Sequence, residues 1–223
     1  MRRSLQDALY AAYPALFRQR SLPPTESSMA RGIECGDGWY GILDGLCDVL
    51  MTHGHQARHS PIEATQVKEK FAGLRFSKYG DCDWCEGAIQ FASAISCHTC
   101  EETGRPGILM TRARRIRTLA EDVGHANGYR RPGTEAEERV EDGPKPTEEG
   151  LPPGWLTIAS VLRSIVAQRM PHAALRFGCG DGELVVDSQN NEAWLSGSIA
   201  CARALSTRTD PVTGIMRIPS SDD

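Results

Sequence analysis

The chain has 223 residues, 40% of them hydrophobic and 24% charged, which is a globular composition and excludes a wholly disordered protein. Its net charge of −4 excludes a global attraction to nucleic acid or anionic membrane, so any such contact must come from a local patch. No apolar run approaches the roughly 18–20 residues of a membrane span, and no small-residue cleavage site follows the basic start, so a cytoplasmic location in the host cell is expected.

Reading from the N-terminus, Leu5, Ala8, Leu9, Ala12 and Leu16 share one face of an amphipathic helix, with Ser4 and Asp7 at capping-box spacing in front of it. Residues 39–52 place Trp39, Ile42, Leu43, Leu46 and Leu50 on a helical stripe. Leu74-Arg75-Phe76 alternates as a half-buried strand does, and a second helix is expected near 86–97. Pro132 to Pro153 is rich in proline and acid and lacks apolar periodicity, which predicts a solvated linker. Beyond it, residues 155–170 carry Trp155, Ile158, Leu162, Ile165 and Val166 on one face. Gly180-Asp181-Gly182 separates two alternating runs as a hairpin turn does, and a last helix is expected near 191–205.

The two halves carry the same anchors in the same order. Gly38-Trp39, Leu74-Arg75-Phe76, Cys97 and Gly107-Ile108 are followed by Gly154-Trp155, Leu175-Arg176-Phe177, Cys201 and Gly214-Ile215. The expected fold class is therefore α+β, with two tandem diverged helix–hairpin–helix units. The boundaries are residues 1–132 for the first unit, 133–150 for the linker and 151–219 for a second, metal-free copy.

Without an export signal the eight cysteines do not read as a disulfide framework. Cys82/Cys85 and Cys97/Cys100 are C-x-x-C pairs, a spacing that grips zinc through a tight turn. The expected ligands are these four cysteines, with His98 or His125 as alternatives, around a structural Zn2+. The helical pattern between the pairs works against one shared ion, because ligands of a tetrahedral zinc lie within about 4 Å of each other. Cys82-Asp83-Trp84-Cys85 at a helix start also fits a redox dithiol. His53, His55 and His59 read as a polar loop after a helix, with a catalytic metal as the lesser alternative. Arg112, Arg114, Arg115 and Arg117 form a dense basic stretch that fits phosphates or an acidic protein surface, or else a charged helix face; no aromatic is interleaved with them. There is no glycine-rich phosphate loop, nucleophile elbow or convincing carboxylate pair.

Gly38-Trp39, Gln66-Val67-Lys68-Glu69-Lys70-Phe71 through Phe76, Cys97 to Cys100 with Gly104 to Gly107, and Thr118-Leu119 resemble the pattern of a family of small phage- and prophage-associated proteins. The resemblance covers about residues 35–125 and implies a zinc-type C-x-x-C element and a mobile-element context. Ala120 stands where that pattern has its next cysteine, and His125 falls later than its histidine, so the family's ligand set is incomplete here. The expectation is a non-enzymatic binding protein that engages a host protein, with inhibition of an antiviral defence such as a CRISPR complex as one such role. The alternatives are a zinc-containing nucleic-acid-binding regulator using Arg112–Arg117 and, third, a thiol redox or hydrolytic enzyme. No membrane partner is expected.

Overall fold

The computed structural model describes residues 1–57, 62–80, 82–133 and 150–219, with backbone only at 55–57. Most of the linker, 134–149, lies outside the described residues, as does His59. The architecture is mixed α+β. Helix α1 (Arg3–Ala12) buries Leu5 and Leu9, and Leu16 joins the same core from the turn that follows. Helix α2 (Tyr40–Ala57) runs longer than its apolar stripe predicts and carries His53 in its last turns.

Strand β1 (Ile33–Glu34) pairs in parallel with β2 (Ala64–Lys70), and β2 pairs antiparallel with β3 (Gly73–Lys78). Helix α3 (Asp83–Ser96) follows. A second hairpin, β4 (Ile108–Arg112) and β5 (Arg115–Leu119), leads into the short α4 (Glu121–Ala126). The second half repeats the order with α5 (Leu156–Arg169), the β6 (Arg176–Gly180)–β7 (Glu183–Asp187) hairpin and α6 (Ala193–Ser206). The Asp181-Gly182 turn has positive φ at both residues, as a two-residue hairpin of the proper twist requires.

The structure departs from the sequence expectation in the alignment of the halves. Leu74-Arg75-Phe76 lies on the second strand of its hairpin, whereas Leu175-Arg176-Phe177 leads into the first strand of its own. Cys201 is buried in mid-α6, while Cys97 caps the C-terminus of α3. Similar hydrogen bonds recur at other positions in the two halves. Ser96 Oγ accepts from Leu74 N, and Ser206 Oγ from Leu184 N, at 2.8 and 2.9 Å. Thr99 and Thr209 donate to the carbonyls of Ile95 and Leu205. The serine bond ties the C-terminal turn of each helix to its hairpin, and the threonine bond caps that turn.

One continuous core is drawn from both halves, including Trp39, Leu43, Leu46 and Leu50 with Ile158, Leu162, Trp194 and Leu195. Its centre is the packing of α3 on α6. A Cβ on Gly87 would stand 1.8 Å from the Trp194 carbonyl oxygen, and one on Gly197 1.8 Å from that of Trp84. Two backbones meet there reciprocally, at a separation only glycine permits. Arg208 ties the halves together again through Asp44 at 2.5 Å and Asp48 at 3.1 Å on α2. A small satellite core of Cys100, Met110, Leu119, Ala120 and Tyr129 lies under the β4–β5 hairpin.

Candidate metal centre and cationic hairpin

Cys82 is the N-cap of α3. Its backbone is extended, and its sulfur accepts from Cys85 N at 3.3 Å, doing for the helix what a serine or aspartate oxygen does elsewhere. The Cys85 thiol, one turn on, points back to the Cys82 sulfur at 2.8 Å. His53 enters from α2, its Nε2 3.6 Å from the Cys82 sulfur. Trp84 stacks flat on the imidazole, with centroids 4.0 Å apart and planes 5° from parallel, which fixes the ring orientation. One donor atom from each of His53, Cys82 and Cys85 lies within 4.8 Å of the other two. Two sulfurs and an imidazole nitrogen converging from two elements form a donor set suited to one soft or borderline cation. Burial, reinforced by the Cys82 sulfur, pushes the Cys85 thiol up to about 12.

The four expected cysteine ligands do not gather. Cys97 lies at the opposite end of α3, about 20 Å of helix away. It is exposed and donates to Ser93 O. Cys100 is fully buried in the satellite core beside Met110 and Leu119, as a small hydrophobe. His98 and His125 are exposed, and neither joins the converging group. His53, assigned on sequence to a polar loop, is a half-buried helical residue instead. The signal that could have found it is the helical stripe of α2, extended one turn further so that His53 faces the start of α3.

The second half carries other residues at the corresponding places. Arg169 stands as far past Trp155 as His53 stands past Trp39, and its guanidinium lies 4.8 Å from the centre of the Trp194 ring. Glu192 is the N-cap of α6, where Cys82 caps α3, and buried Leu195 follows it as Cys85 follows Cys82. A cation over an indole and an apolar side chain occupy that place.

The basic stretch is a hairpin, not a helix face. Arg112 closes β4, Ala113 and Arg114 form the turn, and Arg115 opens β5. Arg117 is consumed internally by Glu101 at 2.8 Å and Glu102 at 2.6 Å. Arg112 donates to Asn127 O and covers the Tyr129 ring. Arg114 and Arg115 are exposed and have no hydrogen-bond or ion-pair partner among the described residues. The nearby acids are engaged: Glu69 accepts from Ala72 N, and Glu101 accepts from Gly36 N as well as pairing with Arg117.

No family model, curated protein or solved structure matches the chain. Among the described residues, no helix is long and apolar enough to cross a membrane.

Proposed function

We propose that this chain is a non-enzymatic binding protein that holds an anionic macromolecular partner through the β4–β5 hairpin, with a zinc ion at His53, Cys82 and Cys85 as a structural brace. The observation that carries the reading is the charge imbalance at the hairpin. Arg114 and Arg115 project uncommitted, while Glu69, Glu101 and Glu102 are bonded internally. A host protein with an acidic face and a nucleic acid are both anionic in the required sense. The zinc would be held by the two thiolates and the imidazole, joining α2 to the start of α3. Three protein ligands leave a fourth position to water or another donor.

The two halves are further proposed to be diverged copies of one unit. The support is the recurring serine and threonine bonds and the reciprocal Gly87/Gly197 approach. With Arg169, Glu192 and Leu195 in place of the ligand set, the second copy is metal-free, which favours a bracing role for the ion over a reactive one.

The experiment is binding of the full chain to a labelled heparin fragment, a polyanion that favours neither partner class. Arg114→Glu/Arg115→Glu should lose about tenfold or more in affinity while keeping its circular dichroism and melting temperature. Absence of binding by the wild-type chain removes the reading. A second reading, a redox dithiol at Cys82/Cys85, has the sulfur–sulfur approach in its favour. Against it, the Cys85 thiol is buried and held protonated, the opposite of an activated nucleophile. Turnover in a disulfide-reduction assay, abolished in Cys82→Ser, would establish that second reading.

A further inference from the structure

Phe71 is 70% exposed, the ring of a large apolar residue set at the tip of the β2–β3 hairpin. The turn that carries it is made of two non-glycine residues with positive φ, Phe71 at 55° and Ala72 at 63°. Such a conformation is disfavoured for side-chain-bearing residues and persists only where the surroundings enforce it. They do so here. Glu69 Oε1 accepts from Ala72 N at 2.7 Å, and the buried Thr118 hydroxyl donates to Ala72 O at 2.8 Å. The second bond fastens the β2–β3 tip to β5. Residues some forty positions apart in sequence are thereby brought to one groove, lined by Phe71, Arg112, Arg114, Arg115 and Tyr129 and also by Glu69 and Glu101, whose carboxylates are held by Ala72 N and by Gly36 N and Arg117.

We infer that this groove binds single-stranded nucleic acid, with Phe71 as a base-stacking platform and Arg114 and Arg115 as phosphate-binding cations; the inference rests on the proposed role of the hairpin and names its partner. Single-strand binders combine a cationic track with aromatic faces on which bases lie. The groove, of about 540 Å³, supplies both. Lys70 stands over the Phe71 ring at 5.1 Å, so a cation accompanies the platform. An acidic stretch of protein would satisfy the arginines but supplies no flat ring to lie on Phe71, as every base of a nucleic acid does. A duplex keeps its bases stacked inside and offers the ring nothing to cover, so the unpaired strand is the form that uses every group present. The net charge of −4 makes the attraction local. Binding must therefore weaken steeply with salt.

The test is fluorescence anisotropy of the full chain against three labelled probes: an oligothymidylate, a duplex of comparable length and poly-glutamate, each at low and moderate salt. The single strand should bind tightest. Phe71→Ala should weaken it by about 5- to 150-fold, the range that removal of one base stack spans, while Phe71→Tyr restores it. Reversal of Arg114 should flatten the salt slope by about 0.7 for each phosphate no longer neutralised. Equal or tighter duplex binding, or an unchanged Phe71→Ala variant of wild-type melting temperature, overturns the inference. Preference for poly-glutamate overturns it too, and leaves the cationic hairpin as a protein-binding surface. If none of the three probes binds, the hairpin reading falls with it.

Discussion

Cys82 does two things at once, capping α3 through its sulfur and presenting that sulfur to Cys85 and His53. Its replacement should therefore affect metal content and helix stability together. Elemental analysis of the purified chain is expected to give about one zinc per molecule. Cys82→Ser and His53→Ala should lose the zinc, and Cys97→Ser should retain it. Retention by Cys82→Ser with loss in Cys97→Ser would reinstate the C-terminal end of α3 as the site.

The remaining thiols separate by burial. Cys97 and Cys179 are exposed and should react with an aromatic disulfide reagent in the folded chain, while Cys35, Cys47, Cys100 and Cys201 should stay inert until unfolding. Burial pushes the Cys35 thiol up to about 12 and raises Cys47 and Cys201 as well. For a group whose folded value is raised, the associated stability is complete below the ordinary thiol value and is lost as pH climbs toward the folded one. The melting temperature should thus fall as pH rises above about 9. A flat alkaline profile would contradict the burial of these three groups.

Among the elements, the α3–α6 crossing is the most exacting contact. Gly87→Ala or Gly197→Ala sets a methyl group against a carbonyl oxygen of the facing helix, which cannot move without moving the helix. Chemical denaturation should show each costing about 1–3 kcal/mol or more. The paired tryptophans offer a finer test. Trp39 Nε1 donates to Thr99 O at 2.8 Å, whereas the buried Trp155 Nε1 has no partner among the described residues. Replacement by phenylalanine leaves a similar void at both positions. The Trp39 variant also strands a buried carbonyl, so it should be less stable than the Trp155 variant by about 1–3 kcal/mol. Equal losses would mean that the two indoles are bonded alike.

The helices were legible in the sequence because their apolar stripes are long and regular. The β6–β7 hairpin announced itself through Asp181-Gly182. The β4–β5 hairpin did not, because its exposed arginines hide the alternation: only Met110, Thr118 and Leu119 are buried along it. The anchors Leu74-Arg75-Phe76 and Leu175-Arg176-Phe177 misled by identity of letters, since a shift of strand leaves composition unchanged while moving the segment across the hairpin. His53 was hidden for a different reason. A metal group assembled from two helices is a property of their packing, and sequence spacing exposes only the half contributed by Cys82 and Cys85.

At the scale of the whole molecule, the described residues form one core with two separate surface features. The thiol–imidazole group sits where α2 meets the start of α3; the cationic groove sits beyond the other end of α3, between the β2–β3 tip and β5. Separation predicts independence. Loss of the ion should lower the melting temperature while leaving the groove intact at temperatures where the chain remains folded. Loss of the arginines should do the reverse. On the proposed duplication, Arg169, Glu192 and Leu195 stand where the first half has its donors, and the β6–β7 turn presents Asp181 where the first half has Phe71. The second half's contribution is the helix α6 that completes the core against α3 and the Arg208 link to α2.

The most direct measurement is heparin affinity of folded Cys82→Ser beside that of Arg114→Glu/Arg115→Glu. The account predicts that the first, free of zinc, binds within about twofold of wild type and that the second loses about tenfold or more. A folded Cys82→Ser chain that no longer binds, or an arginine variant that binds as wild type does, would contradict it.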